Sequence, residues 1–495
     1  MDNKFSFQEI GPAVSELAVE GCSPVTVVAN RTIRESLEHS TLRQAVNARR
    51  SPGVSDVVLN PDAHVGFGAP IGCVMVSPDV VYPGPVGVDV KCSMSLLHFD
   101  LPAEEIADKR VRRRLIDAIC RRTPTGAGRG QRHVPNARNF PPSLAVTAAC
   151  EGATPNVCQS LGVPAEWADR CEDAVHFGHD QTADALRLRY DRIHAVGRTA
   201  RLPDKLSQLG SYGGGNHFGE CEITRVADSD FARRRAETFG LLDGRVAFLS
   251  HCGSRGFGHI LATNQFRVLQ DHFRAVGKPF PADDPYLVYA EIGSPEADDY
   301  LDDMALGANF ATVNHLLINA LVIEAFEEVF PEIRARFVYF ISHNIVRRET
   351  LDGRSVLVHR KGATRAFPAG HPQLTGTPFA ATGHPILLPG NPLGGSSVMA
   401  ALPGARRSCY SVNHGAGRSL GRRCAVRTLN QGEIDAEFDA ADVLFNGRFY
   451  PRDEAPAAYK NFSDVKASVI EAGLADEVAS LSARFVIKDS DKPDD

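Results

Sequence analysis

The chain has 495 residues, of which 43% are hydrophobic and 23% are charged, and its formal net charge is −6. This composition is typical of a globular protein, and the length allows one large domain or two to three smaller ones around a buried site. The negative net charge excludes a protein that coats nucleic acid by overall charge, so any nucleic-acid site must be a local basic patch.

The sequence shows little sign of a membrane-spanning segment, a signal peptide for export or a disulfide framework. The first residues, Met1–Gln8, lack the charged-then-apolar layout of a signal peptide, and no uninterrupted apolar run approaches membrane-spanning length. The 11 cysteines are scattered and include no CxxC pair, unlike a disulfide framework. We therefore expect a cytoplasmic protein with reduced thiols and no membrane partner.

The N-terminal part of the chain changes texture near residue 50. Residues 1–50 are moderately amphipathic and predict a helical N-terminal flank. A short strand-like run, Val57–Leu59, then leads into polar and glycine-rich turns. Further on, Asp89 and Cys92 stand three residues apart. This carboxylate and thiolate can bind one metal ion, or two adjacent ions if the sulfur bridges them.

The middle of the chain is mainly helical in pattern. Residues 104–122 predict a helix whose basic cluster, Lys109–Arg114, is interpreted as a solvated face in preference to an RNA-phosphate contact. Residues 143–205 also read as mainly helical, and a later helix-like block covers Asn314–Phe330. No fixed-period repeat or long low-complexity linker is visible. Residues 51–488 are therefore expected to form one catalytic unit, followed by a disordered acidic tail at 489–495.

A histidine followed by a polar loop recurs at the ends of strand-like runs. His251 follows the run Val246–Leu249, and His343 follows Phe337–Ile341. His217 stands in a glycine-rich turn. Together with the carboxylate and thiolate described above, they form one candidate ligand set of mixed N, O and S character: Asp89, Cys92, His217, His251 and His343. Zinc, iron, cobalt and manganese all suit such a set, and the thiolate favours zinc.

The remaining chemistry lies in cationic and glycine-rich loops. Lys361 and Arg365 follow a strand-like run beside a glycine, and His414 is followed by two glycines and Arg418. A neutral imidazole nitrogen can attack phosphorus, glycines let backbone N–H groups approach a phosphate, and an arginine can bind phosphate bidentately. The pattern indicates metal-assisted phosphoryl or nucleotidyl transfer with His414 as covalent nucleophile.

These motifs together resemble one known family. From about residue 54 to Lys488 the chain is similar to the RtcB-type RNA-splicing ligases, GTP-dependent enzymes that join RNA 3′-phosphate or 2′,3′-cyclic-phosphate ends to 5′-hydroxyl ends. The motifs that carry the resemblance stand in the expected order: Pro61–His64, Gly87–Cys92, Gly214–His217, His251–Arg255, Ser342–Asn344, His359–Arg365 and His414–Arg418.

The resemblance implies a role for each candidate residue. Cys92 would bridge two Mn²⁺ ions, one completed by His251 and His343 and the other by Asp89 and His217. GTP would be the second cofactor, and its guanylate would be carried by His414. The implied nucleotide contacts are Asn216, Asn344, Glu220, Arg418, Tyr459 and Lys488, with Glu220 on the ribose side or behind it and the last two at the guanine base. Asp62, Arg255, Lys361 and Arg365 are implied as further phosphate or RNA contacts, and an archease-like activator is a partner that the resemblance allows.

The chain departs from the family at Pro389–Gly394, where the family commonly has Pro-Gly-Ser-Met-Gly, and this loop bears on nucleotide preference. Two other functions are compatible with the residues. One is a metal-dependent phosphoesterase or cyclic phosphodiesterase that forms no covalent guanylate, and the other is a non-catalytic RNA-binding or metal-sensing protein. The expected fold is mixed α/β (α+β): a single large domain whose β-sheets surround a central metal- and nucleotide-binding cleft.

Overall fold

Two large β-sheets form the centre of the molecule. The computed structural model describes residues 5–489. The strands are β1 Phe7–Gly11, β2 Val14–Leu17, β3 Val25–Val28, β4 Asp56–His64, β5 Ile71–Ser77, β6 Val80–Val81, β7 Ser93–Pro102, β8 Phe218–Val226, β9 Arg245–Cys252, β10 Ala290–Glu291, β11 Ala335–Ser342, β12 Asn344–Leu351, β13 Arg354–Lys361, β14 Ala363–Arg365, β15 Pro385–Asn391, β16 Gly395–Ala401, β17 Ser411–Asn413, β18 Leu444–Phe445 and β19 Ala475–Lys488.

Helices cover both sheets. They are α1 Arg31–Glu35, α2 His39–Arg50, α3 Lys109–Cys120, α4 Pro142–Glu151, α5 Pro155–Leu161, α6 Ala183–Ile193, α7 Leu202–Lys205, α8 Asp230–Phe239, α9 Arg255–Ala275, α10 Pro295–Val329, α11 Arg422–Thr428, α12 Gln431–Ala440 and α13 Phe462–Glu471. The predicted single domain of mixed α/β class is confirmed, as are helices within 104–122, 143–205 and 314–330.

The two sheets differ in the part of the chain that builds them. One has seven strands in the order β1-β2-β3-β4-β5-β13-β12. The other runs β11-β7-β9-β8-β19-β16-β15, and β18 adds an eighth strand through parallel pairing with β19. Two short ladders, β6 with β10 and β14 with β17, complete the described strands. Most large-sheet pairs are antiparallel, so each strand end lies beside the start of its neighbour.

The predicted helical flank at 1–50 is wrong over its first half. Residues 7–28 form β1, β2 and β3 at one edge of the seven-stranded sheet, and only α1 and α2 are helical. Buried β-branched residues such as Val25 and Val27 explain the difference, because they alternate at the period of a strand and face the core. The predicted disordered tail also requires correction at its first residue, since Asp489 is buried. Residues 490–495 lie outside the described part of the chain.

Helix α10 is the long central support of the fold. It spans 35 residues from Pro295 to Val329 and is capped by Ser294, whose side chain accepts a hydrogen bond from the Ala297 N–H. By length and composition it would reach across a membrane, but 94% of its most apolar window is buried inside the protein. Its polar side chains hold loops: Asn314 Oδ1 accepts from the N–H groups of Gly210 at 2.7 Å and Ser211 at 3.1 Å.

A buried ion-pair network lies beside β12, β13 and β14. Arg360 is fully buried and donates to both carboxylate oxygens of Glu349, at 2.6 and 2.9 Å. Arg365 donates to the same carboxylate at 3.0 Å and also pairs with Glu172 at 3.3 Å and Asp173 at 3.1 Å. Buried charges of this kind are stable only while every partner is present.

Replacing Glu349 by glutamine therefore carries a large cost. The variant leaves two buried guanidinium groups with less compensating charge, so the free energy of unfolding should fall by about 3–5 kcal/mol, measured by urea denaturation. Glu35→Gln is the matched control, because its ion pair with Arg31 is exposed and should contribute little. Equal stability of the two variants would contradict a structural role for the network.

Candidate active site

The strand order of the second sheet brings four predicted metal ligands to one edge. In the sequence of neighbours β11-β7-β9-β8, His343 directly follows β11, Cys92 directly precedes β7, and His217 directly precedes β8. His251 lies at the end of β9 and is paired with Met94 and Phe218 on the strands beside it. Because the strands are antiparallel, these ends and beginnings lie at the same edge.

The ligand atoms form a continuous row with Cys92 in the middle. On one side of its sulfur lies His251 Nε2 at 3.1 Å, followed by His343 Nε2 another 3.3 Å away. On the other side lies His217 Nε2 at 3.4 Å, followed by Asp89 Oδ2 at 2.9 Å. Ligand atoms of Cys92, His217 and His251 all lie within 4.8 Å of one another. A thiolate in this position can serve two neighbouring ions.

Backbone carbonyls orient the two inner imidazoles. His217 Nδ1 lies 2.9 Å from the Tyr212 carbonyl, and His251 Nδ1 lies 3.0 Å from the Asn216 carbonyl. A carbonyl oxygen only accepts, so each Nδ1 carries a proton. The Nε2 of His251 therefore directs a lone pair into the row when the ring is neutral, whereas the Nε2 of His217 faces the Asp89 carboxylate. Metal-binding histidines are commonly oriented in this way by outer-shell hydrogen bonds. Both carbonyls belong to the glycine-rich loop that leads to His217.

The electrostatics of the row favour a cation. Burial and the neighbouring Asp89 raise the pKa of the Cys92 thiol well above its usual value. Burial, and next the neighbouring histidines, lower the pKa of His251 and His343 well below the usual value. Burial acts to raise the pKa of Asp89, but His217 outweighs it and lowers that pKa to about 2. Neutral imidazoles, a carboxylate and a thiol that a bound cation would deprotonate are the donors that a divalent transition metal requires.

His414 lies against this row, with one ring nitrogen fixed. Its Nδ1 is 2.7 Å from Asp62 Oδ2 and 2.8 Å from the Gly362 carbonyl, and its ring centroid is 4.6 Å from that of His343. Both partners of Nδ1 are acceptors, so Nδ1 carries the proton. Within residues 5–489 no hydrogen bond reaches Nε2, so that nitrogen is free to act as the nucleophile that the sequence predicts.

Glycines leave room for this arrangement. Gly417 has φ +75°, and a Cβ there would lie 2.2 Å from the Asp62 carbonyl oxygen. Gly362 has φ +63°, and a Cβ there would lie 3.0 Å from Cε1 of His414. A larger residue at either position would push the nucleophile or its partner out of place.

The ligand row and His414 open into one cavity of about 500 Å³. Among its lining residues are all six predicted nucleotide contacts: Asn216, Asn344, Glu220, Arg418, Tyr459 and Lys488. Phe218, Tyr450, Arg422 and the departing loop at Pro389–Pro392 line it as well. The cavity is thus large enough for a nucleotide, and aromatic and charged groups lie in its wall.

Glu454 organises the charged part of that wall, and the sequence analysis missed it. This buried carboxylate accepts from Lys488 Nζ at 3.0 Å and from the Tyr459 hydroxyl at 2.7 Å, while Arg418 lies 3.3 Å away and Arg422 also pairs with it. Burial acts to raise the pKa of Glu454, but Lys488 and the arginines lower it to about 2. The Glu454 carboxylate therefore positions three predicted nucleotide contacts and the additional Arg422.

Glu220 is backed by a second carboxyl group that was also missed. Glu222 is fully buried two residues further along β8, and both of its oxygens lack a hydrogen-bond donor within the described chain. Burial raises the pKa of Glu220 to about 7, and burial together with Glu220 raises the pKa of Glu222 still more strongly from its usual value. The raised pKa values favour a form of the pair in which at least one carboxyl group is protonated.

Of the four residues predicted to contact phosphate or RNA, Lys361 lines the cavity, whereas Arg365, Arg255 and Asp62 do not. Arg365 is taken up by the buried ion-pair network and does not line the cavity. Arg255 donates to Ser211 Oγ at 3.2 Å and to a backbone carbonyl, again outside the cavity lining. Asp62 is fully buried against His414. Lys361 does line the cavity, but its ammonium donates to backbone carbonyls.

Comparison with known proteins agrees with this geometry. A family model described as tRNA-splicing ligase RtcB matches residues 44–489. A tRNA-splicing ligase RtcB from Thermococcus kodakarensis is 33% identical over 481 residues, covering 94% of each chain, and one from Pyrobaculum aerophilum is 32% identical with the same coverage. An RNA-splicing ligase RtcB from Mycobacterium tuberculosis is 34% identical over 455 residues, covering 88% of this chain and 98% of the relative.

A row of thiol, imidazole and carboxyl groups beside a histidine with one free nitrogen is a candidate site for metal binding and group transfer. The match over nearly the whole length shows that the chain belongs to the RtcB family.

The central sulfur should control metal binding on both sides of the row. If Cys92 binds metal as the sequence predicts, replacing it by serine exchanges the predicted bridging thiolate for a much poorer ligand. Mn²⁺ affinity should then fall by more than about tenfold, the lower limit seen when even outer-shell partners are lost. Metal content after dialysis, measured by elemental analysis, tests this. Cys158→Ser, a buried cysteine on α5, is the matched control. Full metal content in the Cys92 variant would show that the thiol is not a ligand.

Proposed function

We propose that this protein is a GTP- and Mn²⁺-dependent RNA ligase that joins RNA 3′-phosphate or 2′,3′-cyclic-phosphate ends to 5′-hydroxyl ends through a histidine–GMP intermediate. The proposal is supported by membership of a family whose relatives are named tRNA-splicing or RNA-splicing ligases. The observation that carries it is the environment of His414: protonated and held at Nδ1, free at Nε2, and open to a nucleotide-sized cavity beside the ligand row.

Guanylate transfer to His414 follows from that environment. Nε2 attacks the α-phosphorus of GTP, the bond from that phosphorus to the bridging oxygen breaks, and pyrophosphate leaves with the bonding electrons. A P–N bond to Nε2 forms, and the positive charge that develops on the ring is stabilised by Asp62, which accepts from Nδ1. Arg418 and Arg422 line the same cavity and supply positive charge near the phosphates.

Five side chains would hold two divalent ions: His251 and His343 would serve one ion, Asp89 and His217 the other, and Cys92 both. Bound there, the ions would act as Lewis acids that neutralise phosphate charge. Glu220 and the Glu454 group would then read the guanine and ribose through acceptors and donors in the cavity wall.

Two further transfers complete joining. An oxygen of the RNA 3′-phosphate attacks the guanylate phosphorus, and the P–N bond to His414 breaks. The product is an activated anhydride between the RNA 3′-phosphate and GMP, and His414 is released. The 5′-hydroxyl then attacks the RNA phosphorus, gives up its proton and expels GMP. A cyclic end is first opened by water. The RNA ends, an archease-like activator and a cytoplasmic location belong to the proposal as predicted from the sequence.

Removing the nucleophile should abolish the adduct. His414→Ala should form no labelled protein when incubated with Mn²⁺ and GTP labelled at its α-phosphate, and it should not join RNA, because the imidazole proposed to carry the guanylate is gone. His272→Ala, an exposed histidine paired with Glu296, serves as the control and should behave as wild type. A phosphoesterase of the same fold predicts the opposite pattern for the wild type: hydrolysis of cyclic ends without any acid-labile adduct.

The carboxylate behind the nucleophile should govern its rate. Asp62→Asn places an amide where an acceptor is needed and favours the wrong imidazole tautomer, so the rate of adduct formation should fall by about 10²–10⁴-fold. Single-turnover labelling measures this rate, and Mn²⁺ content should stay at the wild-type level. Unchanged labelling would remove Asp62 from the proposed mechanism.

A further inference from the structure

The mouth of the cavity carries an exposed aromatic pair that the reaction described above does not use. Phe67 is 65% exposed and Tyr286 is 36% exposed, and their ring centroids are 5.1 Å apart with the planes at 41°. Both line the same cavity as His414 and Cys92. Large aromatic side chains that are exposed to solvent at the entrance of a site indicate a binding surface, because covering them with a ligand is favourable.

The loop that presents Phe67 is rigid, although its side chain is exposed. Lys361 Nζ donates to the Phe67 carbonyl at 2.5 Å and to the Ala69 carbonyl at 3.0 Å. Gln44 holds the preceding residue from both sides: its amide donates to the Gly66 carbonyl at 2.6 Å and accepts from the Gly66 N–H at 3.0 Å. A ring held on a fixed backbone loses little freedom when a planar ligand stacks on it.

Tyr286 supports the pair from behind. Its N–H donates to Asp284 Oδ1 at 2.9 Å, and Phe266 packs against its ring edge at 5.6 Å between centroids. Gly68, at φ +72°, permits the close approach of the two segments, because a Cβ there would lie 2.7 Å from the Tyr286 carbonyl oxygen. The aromatic surface is therefore preformed, and the exposed part of Phe67 is free to receive a flat ring.

The position of this surface selects its ligand. The groups suited to a guanine nucleotide, Tyr459, Lys488 and Glu454, form another part of the cavity lining and are bound to one another. An RNA end must nevertheless bring its phosphate or hydroxyl to His414 and the ligand row, so its last base must lie in or beside the cavity that Phe67 and Tyr286 also line. Aromatic side chains bind such unpaired bases by stacking, whatever their sequence.

We propose that Phe67, backed by Tyr286, stacks on the base of the terminal nucleotide of an RNA strand and so places that end at His414. The inference rests on the proposed ligase function. It adds a binding site for a nucleobase to the phosphate chemistry and makes Phe67 a positioning residue.

Phe67→Ala tests the site without touching the nucleophile. Adduct formation from GTP alone should match the wild type, whereas the KM for RNA in joining should rise by about 5- to 150-fold, the range for loss of one base stack, with kcat changed much less. Phe67→Trp should restore the wild-type KM. Phe177→Ala, an exposed phenylalanine outside the cavity lining, should have no effect.

Abasic substrates identify the end that is stacked. One RNA lacks the base at its 3′-phosphate end and another lacks it at its 5′-hydroxyl end. For the stacked end, removing the base should weaken the wild type as much as Phe67→Ala does, and combining both changes should cause no further loss. The proposal would be overturned if, for both ends, the loss from Phe67→Ala multiplied with the loss from removing the base. It would also be overturned if Phe67→Ala behaved as wild type on intact RNA, or if that variant lost GTP labelling.

Failure of this inference differs from failure of the ligase function. If the wild type forms no adduct with GTP, the ligase proposal fails, whereas binding of the same RNAs, followed by fluorescence anisotropy, still reports on Phe67. Weaker binding of intact RNA by Phe67→Ala, without a further effect of the abasic end, would then support the stacking site by itself. Equal binding by wild type and variant would exclude it.

Discussion

The pairing of β7 with β9 and β11 is the interaction on which the site depends. A shift of that register by one residue would turn His251 to the opposite face of the sheet and separate it from Cys92, since side chains alternate along a strand. The sheet thereby fixes spacing within the ligand row through backbone hydrogen bonds and not through the ligands themselves. Asn314 of the central helix extends the same control to the loop before His217.

His343 joins this edge to the other half of the site. Its N–H donates to the Cys92 carbonyl at 2.9 Å, and its own carbonyl accepts from the Ala363 N–H at 3.1 Å. Ala363 begins β14, which pairs with β17 directly before His414. One short backbone path therefore connects Cys92 to His414, so the predicted metal-binding and group-transfer parts of the site are positioned as one body.

Sequence patterns predicted the parts of the site that lie at ends of recognisable strands. His251 and His343 each end an apolar run, and convergence of such ends is a general property of sheets. Glu454 carries no such signal, because its partners Arg418 and Lys488 are 36 and 34 residues away and meet it only after folding. Arg365 was predicted to contact phosphate but lies in the buried ion-pair network. A basic residue beside a glycine does not show to which side of its strand the side chain points. The strands at 7–28 were missed because their alternation is short and lies beside true helices.

The glycines around His414 have a consequence for heat tolerance. At Gly362 and Gly417 there is no room for a side chain beside His414 and the Asp62 backbone, so no side chain can be repacked to correct a displacement. Alignment is then only as durable as the turns that hold these glycines, one between β13 and the short strand β14 and the other soon after the short strand β17. On warming, catalytic competence should decay while the surrounding sheets are still folded, and thermal tolerance of activity would be improved by stiffening the loops and not the core.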